Sequence, residues 1–289
     1  ENGDKVLVEI IEWKRNDISP TGRIKEILGK PGEHETEIKS ILKNSNISLD
    51  FPKEVLDYTN KISKTISENE IAKRRDLREE LTFTIDPEDA KDFDDAISYR
   101  QIEKNIYEVG IHIADVSHYV ENKSALDLEA YKRGTSIYLV DRVIPMLPEI
   151  LSNKVCSLRP NEEKFTFSSI FKINSKGEII EEWYGKTVIK SNKRFSYAEA
   201  QEIIDKKKGK ISKENSLTNK AYEVEKDMVE AIINLNEIAQ QRRKEREKQG
   251  SINFNKKEIK FKLDNKQNPI EVLFKESKEA NKLVEEFML

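Results

Sequence analysis

The chain has 289 residues, of which 36% are hydrophobic and 36% charged, and this composition predicts a soluble globular protein with room for two domains. Its formal net charge of −3 excludes the overall basic character expected of a typical nucleic-acid-binding domain, and the lack of any run of about 18 apolar residues excludes a transmembrane helix. A single cysteine, Cys156, excludes an internal disulfide, and an opening unlike a signal peptide favours a cytoplasmic location.

The first 80 residues predict a small β-rich unit followed by a connector. Two alternating strands are expected over residues 6–13 and 21–28, joined by a turn. Residues 51–80 predict a helical connector, because Pro52 can open a helix and apolar residues then recur at helical spacing as far as Ile66. Because the chain does not open on methionine and runs directly into a strand, we expect it to be a piece of a longer protein.

After residue 80 the patterns of strands and helices are mixed, which favours an α+β domain. The apolar residues of the last predicted helix repeat at spacings of four and three, and this seam is expected to pack on the rest of the domain. The predicted elements are a strand over residues 106–114, a helix from Ser124 to Gly134, a hairpin over residues 165–180, a helix capped by Ser196 and a long helix over residues 217–249.

Six carboxylates fall within ten residues of one segment, directly after strand-forming residues. Such a density of like charge is unfavourable unless cations bind there, because each carboxylate disfavours the ionisation of its neighbours. Oxygen ligands without clustered His or Cys suit Mg²⁺ or Mn²⁺. Carboxylates that hold two such ions roughly 3.5–4 Å apart are used by nucleases and polymerases to stabilise the attacking and leaving oxygens of a phosphodiester. The six residues are Asp86, Glu88, Asp89, Asp92, Asp94 and Asp95.

Two plainer interpretations of the acidic segment are a solvated turn and a calcium loop. A solvated surface turn is the common explanation of an acidic run. However, Phe83, Ile85 and Phe93 alternate with the acids, and this pattern predicts partial burial. A calcium loop of the EF-hand type is excluded, because neither Asp86 nor Asp92 is followed by the glycine that such a loop requires at its sixth position.

Several further segments, in a fixed order over about two hundred residues, match the motifs of one family. With the acidic segment they lie at residues 75–78, 84–96, 112–120, 133–138, 144–149, 156–158 and 280–288. Together these segments resemble the catalytic domain of the RNase II/RNase R exoribonucleases from about residue 70 to the last residue. The detail around Tyr138 and Ile144 is more similar to RNase R than to RNase II.

This resemblance implies a fold and a division into domains. The expected fold class is α+β, with the end of a cold-shock, OB-like β-barrel over residues 1–50, a helical connector over 51–80, and a mixed α/β RNB catalytic domain over 81–289 that is truncated on its C-terminal side. In the family, a later segment carries arginines that contact the scissile phosphate. We expect the chain to end before that motif, and the lost electrostatic stabilisation, worth several kcal/mol, would weaken turnover.

The resemblance also implies a metal centre in the acidic segment. Asp86, Asp92 and Asp95 would chiefly ligate Mg²⁺, or Mn²⁺, and Asp94 would serve the hydrolytic step itself. Three other polar residues would form a wall beside the site rather than ligate metal, because imidazole favours softer ions than an oxygen cluster does. They are His112, Asp115 and His118.

Four more residues are implied in RNA binding. Tyr138 and Phe254 would clamp a single strand by base stacking, which contributes roughly 1–3 kcal/mol per base without reading sequence. Tyr197 would end this grip and set the length of the final undegraded fragment. Glu285 would lie near the terminal nucleotide, where a hydrogen bond to a ribose 2′-hydroxyl separates RNA from DNA. For any one aromatic residue taken alone, core packing is the usual role.

The sequence therefore predicts a Mg²⁺-dependent exoribonuclease that degrades single-stranded RNA processively from its 3′ end to nucleoside 5′-monophosphates. Its expected partner is single-stranded RNA, with no membrane association and with monomeric relatives. Two alternatives remain. A non-catalytic RNA-binding relative would keep the aromatic residues and lose the acids, although all four acids are present here. A two-metal nuclease acting on DNA would keep the acids and ignore the 2′-hydroxyl.

Overall fold

The computed structural model describes residues 2–14, 19–63, 65–252, 258–264 and 267–289. One seven-stranded mixed sheet organises these residues, and helices pack on both of its faces. Four two-stranded sheets accompany it within the same ranges. None of the helices found there combines the length and the apolar character that crossing a bilayer requires.

The N-terminal unit is a two-stranded antiparallel ribbon followed by a helix. Strand β1 (Lys5–Glu12) pairs with β2 (Thr21–Gly29), which confirms both predicted strands, and α1 (His34–Asn44) follows. Apolar side chains such as Ile10 and Ile24 are exposed on the ribbon. The described residues thus form part of a β unit and not a closed barrel.

The connector contains two short helices instead of one continuous one. Helix α2 (Lys53–Asn60) starts after Pro52 as predicted, but it ends before Ile62, and α3 (Glu68–Ile71) and β3 (Arg75–Leu77) follow. The prediction of helical spacing as far as Ile66 was therefore wrong. The apolar residues beyond α2 pack on the core from a non-helical segment, so their spacing reflects burial and not a helical turn.

The rest of the chain builds the central sheet and its helices. In chain order the elements are β4 (Thr82–Asp86), β5 (Asp95–Glu103), β6 (Ile106–Ala114), a 3₁₀ turn (Val116–His118), α4 (Ala125–Arg133), β7 (Ile137–Tyr138), β8 (Val143–Ile144), a π-helical turn (Leu151–Val155), β9 (Glu163–Asn174), β10 (Ile179–Lys190), β11 (Lys193–Ser196), α5 (Tyr197–Lys206), β12 (Lys210–Ile211), β13 (Tyr222–Glu223), α6 (Lys226–Lys248), β14 (Glu258–Leu263), β15 (Pro269–Lys275) and α7 (Glu279–Met288). This content confirms the α+β fold class.

The sheet has the order β11-β4-β5-β6-β9-β10-β3. Its two edge pairs, β11 with β4 and β10 with β3, are parallel, and every other pair is antiparallel. The register places Ser196 beside Asp86 and Asp95 beside Ile113. The end of β4, the start of β5 and the end of β11 therefore meet at one edge of the sheet.

Side chains alternate between the two faces of the sheet, as the period of a strand requires. On β4, Phe83 and Ile85 belong to the larger core, which α5, α6 and α7 cover. Ala96 on β5 points to the opposite face and joins a second core under α2 and α4. Thr84 and Asp86 alternate with the two buried apolar residues of β4, so the first predicted metal ligand lies on that opposite face.

Most local predictions in this part are confirmed. The strand over residues 106–114, the hairpin of β9 and β10 and the start of α4 after Ser124 are all present. Ser196 caps α5 in a reciprocal capping box with Glu199, as its sequence pattern predicted.

The long helix begins later than predicted. Helix α6 starts at Lys226, so the prediction of a helix from residue 217 was wrong for its first nine positions. Tertiary contacts explain the difference, because the Glu199 carboxylate accepts hydrogen bonds from the Leu217 backbone at 3.0 Å and from the Tyr222 hydroxyl at 2.9 Å. Strand β13 then pairs with β12, which a helix at these positions would prevent.

Candidate functional site

All four predicted site aspartates lie on or beside the loop between β4 and β5, and Phe93 anchors this loop. The Phe93 ring is 7% exposed in the second core. Its backbone N–H donates to Ser157 Oγ at 3.0 Å, and its carbonyl accepts from the Leu158 N–H at 2.8 Å. The next carbonyl, of Asp94, accepts from the Ala114 N–H at 2.9 Å. These bonds fix the acidic residues on either side of Phe93.

Asp86 is the most buried acid of the group, with 6% of its surface exposed. Burial, reinforced by the negative charges of Asp95 and Asp92, raises the pKa of its carboxyl to about 7. The Thr84 hydroxyl donates to Asp86 Oδ2 at 2.5 Å. This hydrogen bond and the positive charge of Arg194 both lower the pKa of Asp86, but they offset only part of the increase. Without a further cation the site therefore binds protons more tightly than ordinary carboxylates do.

The neighbouring acids respond in the same way. Desolvation raises the pKa of Asp94, and the charges of Asp92 and Asp95 raise it further. Desolvation also raises the pKa of Asp95. Asp94 keeps an exposed surface, whereas Asp92 and Asp95 are half-buried. Among the four, Asp94 is thus the side chain most open to an incoming molecule.

The donor chemistry of this group fits a hard divalent cation. All four side chains offer carboxylate oxygens, and their mutual repulsion would be relieved by positive charge. As they are placed, however, no three His, Cys, Asp or Glu side chains within the described ranges converge closely enough to hold an ion. The structure therefore brings the predicted ligands into one electrostatic cluster without closing a coordination shell.

The polar residues expected to form a wall beside the site have other partners. His112 is fully buried, its Nδ1 lies 2.7 Å from Ser168 Oγ, and burial followed by the charge of Arg75 lowers its pKa to about 3. Asp115 is paired with the buried Arg74 at 2.8 Å. The first contact joins β6 to β9 within the sheet, and the second joins the sheet to the connector, so both are consistent with a structural role.

Two of the predicted RNA-binding tyrosines border the acidic cluster. Tyr138 on β7 is 71% exposed, and its pKa is raised by partial burial and then by the charges of Asp92 and Asp94. Tyr197 is the first residue of α5, and burial, together with Asp95 and Asp86, raises its pKa to about 12. The Tyr138 ring is thus influenced by Asp92 and Asp94, and the Tyr197 ring by Asp86 and Asp95.

The other two predicted RNA-binding residues are not brought to the cluster. Phe254 lies outside the described residues. Glu285 is exposed on α7, and its negative charge is among the causes that raise the pKa of Arg246. Arg246 also donates a hydrogen bond to the buried Glu286 at 2.7 Å. Within the described part of the chain, no contact joins Glu285 to the aspartates.

Arg194 on β11 is a site residue that sequence reasoning missed. Its Nη2 donates to the carbonyls of Pro87 at 2.8 Å and Glu88 at 2.9 Å, where the acidic loop leaves β4. Its guanidinium lies over the Phe93 ring, 4.7 Å from the centroid, near the point where the loop joins β5. One side chain thus spans the loop from its first residues to its anchor.

Thr84 and Ser157 were also missed, for different reasons. Thr84 precedes Asp86 by two positions on a strand, and this spacing alone places both side chains on one face, so the signal was available. Ser157 reaches Phe93 across 64 positions, and nothing local in the sequence indicates that contact.

Comparison with known proteins gives the family. The RNB domain family matches residues 74–289, and the cold shock domain family matches residues 1–52. DIS3-like exonuclease 2 of Schizosaccharomyces pombe is 43% identical over 286 residues, which are 98% of this chain and 30% of that relative. Mycoplasma genitalium RNase R, solved with ribose-methylated single-stranded RNA, has a TM-score of 0.88 and 27% identity over 99% of this chain and 42% of its own.

The fold also occurs in a protein without nuclease activity. Yeast Ssd1, described as a pseudonuclease, has a TM-score of 0.63 and 21% identity over 83% of this chain and 28% of its own, a likeness of fold alone. The chain spans only 30% of the curated exonuclease relative described above. The family expected from the motifs is confirmed. Because its match covers well over half of the sequence, the chain belongs to the RNB domain family.

Proposed function

We propose that the chain carries the metal-binding part of a 3′-to-5′ exoribonuclease that hydrolyses single-stranded RNA processively to nucleoside 5′-monophosphates with Mg²⁺, or Mn²⁺. The observation that carries the proposal is the cluster of four aspartates, bordered by two tyrosines, in which burial and then the charges of Asp92 and Asp95 raise the pKa of Asp86 and Asp94. A second support is the similarity of this chain to a relative that is named as an exonuclease, DIS3-like exonuclease 2. A cytoplasmic location is part of the same proposal.

In this proposal Asp86, Asp92 and Asp95 hold the metal, because their half-buried or buried carboxylates gain most from a neutralising cation. Bound divalent ions would offset the charge that develops on the attacking and leaving oxygens of the phosphodiester. Asp94 is the exposed acid, and its carboxylate would accept a hydrogen bond from the attacking water and orient it. Its raised pKa brings it closer to the range in which a general base works.

The RNA would be gripped through its bases and its ribose. Tyr138 is exposed beside the acids, so its ring can stack on a base close to the scissile phosphate. Tyr197 is held by the core next to Asp86 and Asp95, which suits a fixed end to the grip. Phe254 and Glu285 keep the roles of second stacking platform and 2′-hydroxyl partner as proposals.

The division into domains belongs to the same proposal. Residues 1–50 would be the end of a cold-shock unit, residues 51–80 the connector, and residues 81–289 the front part of the catalytic domain. The match of the cold shock domain family to residues 1–52 supports the first boundary, and the match of the RNB domain family from residue 74 supports the last.

Two other functions are distinguished by simple measurements. A relative without nuclease activity is a known outcome for this fold, since Ssd1 is described as a pseudonuclease. Retention of all four aspartates favours catalysis instead, with the pKa values of Asp86, Asp94 and Asp95 raised chiefly by burial. A nuclease directed at DNA would not depend on the ribose 2′-hydroxyl.

The test is an assay of the whole protein on a 5′-labelled single-stranded RNA. We expect a ladder of products that shortens from the 3′ end, that appears only with Mg²⁺ or Mn²⁺, and that is abolished by EDTA. If the protein binds the RNA but does not shorten it in a metal-dependent way, the non-catalytic function is better supported than the exoribonuclease.

A further inference from the structure

The hairpin that carries Tyr138 is too small to hold its own position. Strands β7 and β8 contribute two residues each, and the pairs are Ile137 with Ile144 and Tyr138 with Val143. An isolated two-stranded hairpin is marginally stable at best in water. The orientation of the Tyr138 ring therefore depends on what the hairpin contacts.

The tip of the hairpin contacts the start of α1 in the cold-shock segment, residues 1–52. His34 Nε2 lies 3.1 Å from Asp141 Oδ2. Arg142 donates to both carboxylate oxygens of Glu35, with Nη1 to Oε2 at 3.3 Å, and its Nε donates to Asp141 Oδ2 at 2.8 Å. Four side chains, two from each side, thus form one connected network.

Asp141 gives this contact its strength. Its side chain is only 2% exposed, and a buried carboxylate is costly to leave without partners. The Arg142 hydrogen bond, followed by that of His34, holds the pKa of Asp141 below its usual range. The Glu35–Arg142 pair is more exposed and contributes less by itself.

The base of the hairpin is tied to the same segment through Arg133, which ends α4. Its Nη2 donates to the carbonyl of Asp50 at 2.7 Å, and its Nη1 lies 3.3 Å from the carbonyls of Ser48 and Pro145. Its guanidinium lies over the Phe51 ring at 3.8 Å from the centroid. Because Pro145 directly follows β8, this arginine joins the exit of the hairpin to the end of the cold-shock segment.

We propose that the cold-shock segment sets the position of Tyr138, by bracing its hairpin at the tip and at the base, and so determines how tightly the RNA strand is held. The brace is defined as the contacts of His34 and Glu35 with Asp141 and Arg142, together with those of Arg133. The inference rests on the proposed function, since it assumes that Tyr138 stacks on RNA. It adds that residues in a different domain, which need not touch the RNA, control this stacking.

The experiment is a double-mutant cycle on RNA affinity. A fluorescein-labelled single-stranded RNA is titrated in EDTA with the wild type, with Tyr138→Ala, with His34→Ala combined with Glu35→Gln, and with all three changes. Tyr138→Ala should weaken binding about 5- to 100-fold, the loss of one stacked base. The brace variant should weaken it about three- to tenfold, because a misplaced ring stacks less well. In the Tyr138→Ala background the brace variant should cause no further loss.

A matched control comes from the same helix. Glu37 forms an ion pair with Lys5 at 2.5 Å inside the cold-shock segment, so Glu37→Gln removes a comparable contact without touching the hairpin. It should leave RNA affinity unchanged, and thermal unfolding of each variant verifies that it is folded. The single change Glu35→Gln, at an exposed position, provides a milder test should the double variant unfold.

Two results would overturn the brace while leaving the clamp intact. One is an unchanged affinity of the brace variant when Tyr138→Ala does weaken binding. The other is a loss of affinity that is fully additive with Tyr138→Ala or is matched by Glu37→Gln, since either would mean a general loss of stability. If Tyr138→Ala itself has no effect, the stacking role fails first, and the brace fails with it.

Discussion

Asp94 differs from the other three predicted site aspartates in facing solvent, and this difference predicts a separation of binding from catalysis. The change Asp94→Asn keeps the shape of the side chain and removes a carboxylate that would orient water. We expect RNA affinity within about twofold of wild type and hydrolysis reduced by about 10²-fold or more, the usual contribution of a positioned base. Binding is measured by anisotropy in EDTA, and hydrolysis by the shortening of labelled RNA with Mg²⁺.

The control for this prediction is Glu88→Gln, which neutralises an exposed acid of the same loop that is not assigned to metal or catalysis. It should retain most of the activity. Rapid hydrolysis by Asp94→Asn would show that this residue does not serve the chemical step.

Asp86 allows a prediction about pH and stability in EDTA. Its folded pKa of about 7 lies above the ordinary value of 3.8, so the folded protein binds more protons than the unfolded chain between these values. Stability contributed by this group is therefore present at low pH and lost as the pH rises through about 7. Asp86→Asn should raise the unfolding temperature in EDTA at pH 8 and change it much less at pH 5, with an effect on the order of 1–4 kcal/mol at the higher pH.

The same linkage predicts how metal acts on the wild type. Mg²⁺ or Mn²⁺ requires ionised carboxylates, so either ion should stabilise the protein more at pH 8 than at pH 5. Asp86→Asn should lose most of this stabilisation. Equal stabilisation of the variant and the wild type at pH 8 would mean that Asp86 is not a ligand.

At the scale of elements, the acidic loop depends on a strand that is distant in sequence. Arg194 holds the carbonyls at one end of the loop and the Phe93 ring near the other. Arg194→Met should weaken Mn²⁺ binding about 10- to 100-fold, as loss of a group that orients metal ligands usually does. Removing a positive charge would by itself strengthen cation binding, so the sign of the change separates positioning from electrostatics.

Arg100→Met is the matched control for this variant. Arg100 lies on β5 of the same sheet and pairs with Glu80 at 2.9 Å and Glu108 at 2.8 Å, away from the loop. Its loss should leave Mn²⁺ affinity, measured by titration calorimetry, near that of wild type. Equal Mn²⁺ affinity of the Arg194 and Arg100 variants would show that Arg194 does not position the metal ligands.

Elements with a short-range signal could be predicted, and those determined by distant contacts could not. The capping box at Ser196 and the β9–β10 hairpin depend on residues within a few positions of each other, and both were predicted from the sequence. The predicted start of α6 was wrong because Glu199, which lies outside the predicted helix, accepts hydrogen bonds from Leu217 and Tyr222. Among the proposed site residues, the acids and Tyr138 were predicted from motifs, whereas Arg194 required knowledge of which strands pair.

At the scale of the whole molecule, specificity for RNA over DNA tests the proposed substrate. We expect a single-stranded RNA to be shortened far faster than the DNA of the same sequence, because the proposed contacts to RNA include a hydrogen bond to a 2′-hydroxyl near the 3′ end. An RNA with one deoxyribose at its 3′-terminal nucleotide is the sharper probe, since only one hydroxyl is missing. Equal rates on the three strands, measured side by side, would favour the DNA-directed alternative.

The parallel pairing of β11 with β4 has a consequence for protein synthesis. The bond from Arg194 to Pro87 joins residues 107 positions apart, so the acidic loop cannot be seated until that much more chain has left the ribosome. At roughly 5–20 residues per second, this delay is on the order of 5–20 s. During this interval a nascent chain would hold the proposed metal ligands without a finished site, so the proposed hydrolysis of RNA would begin only after the interval had passed.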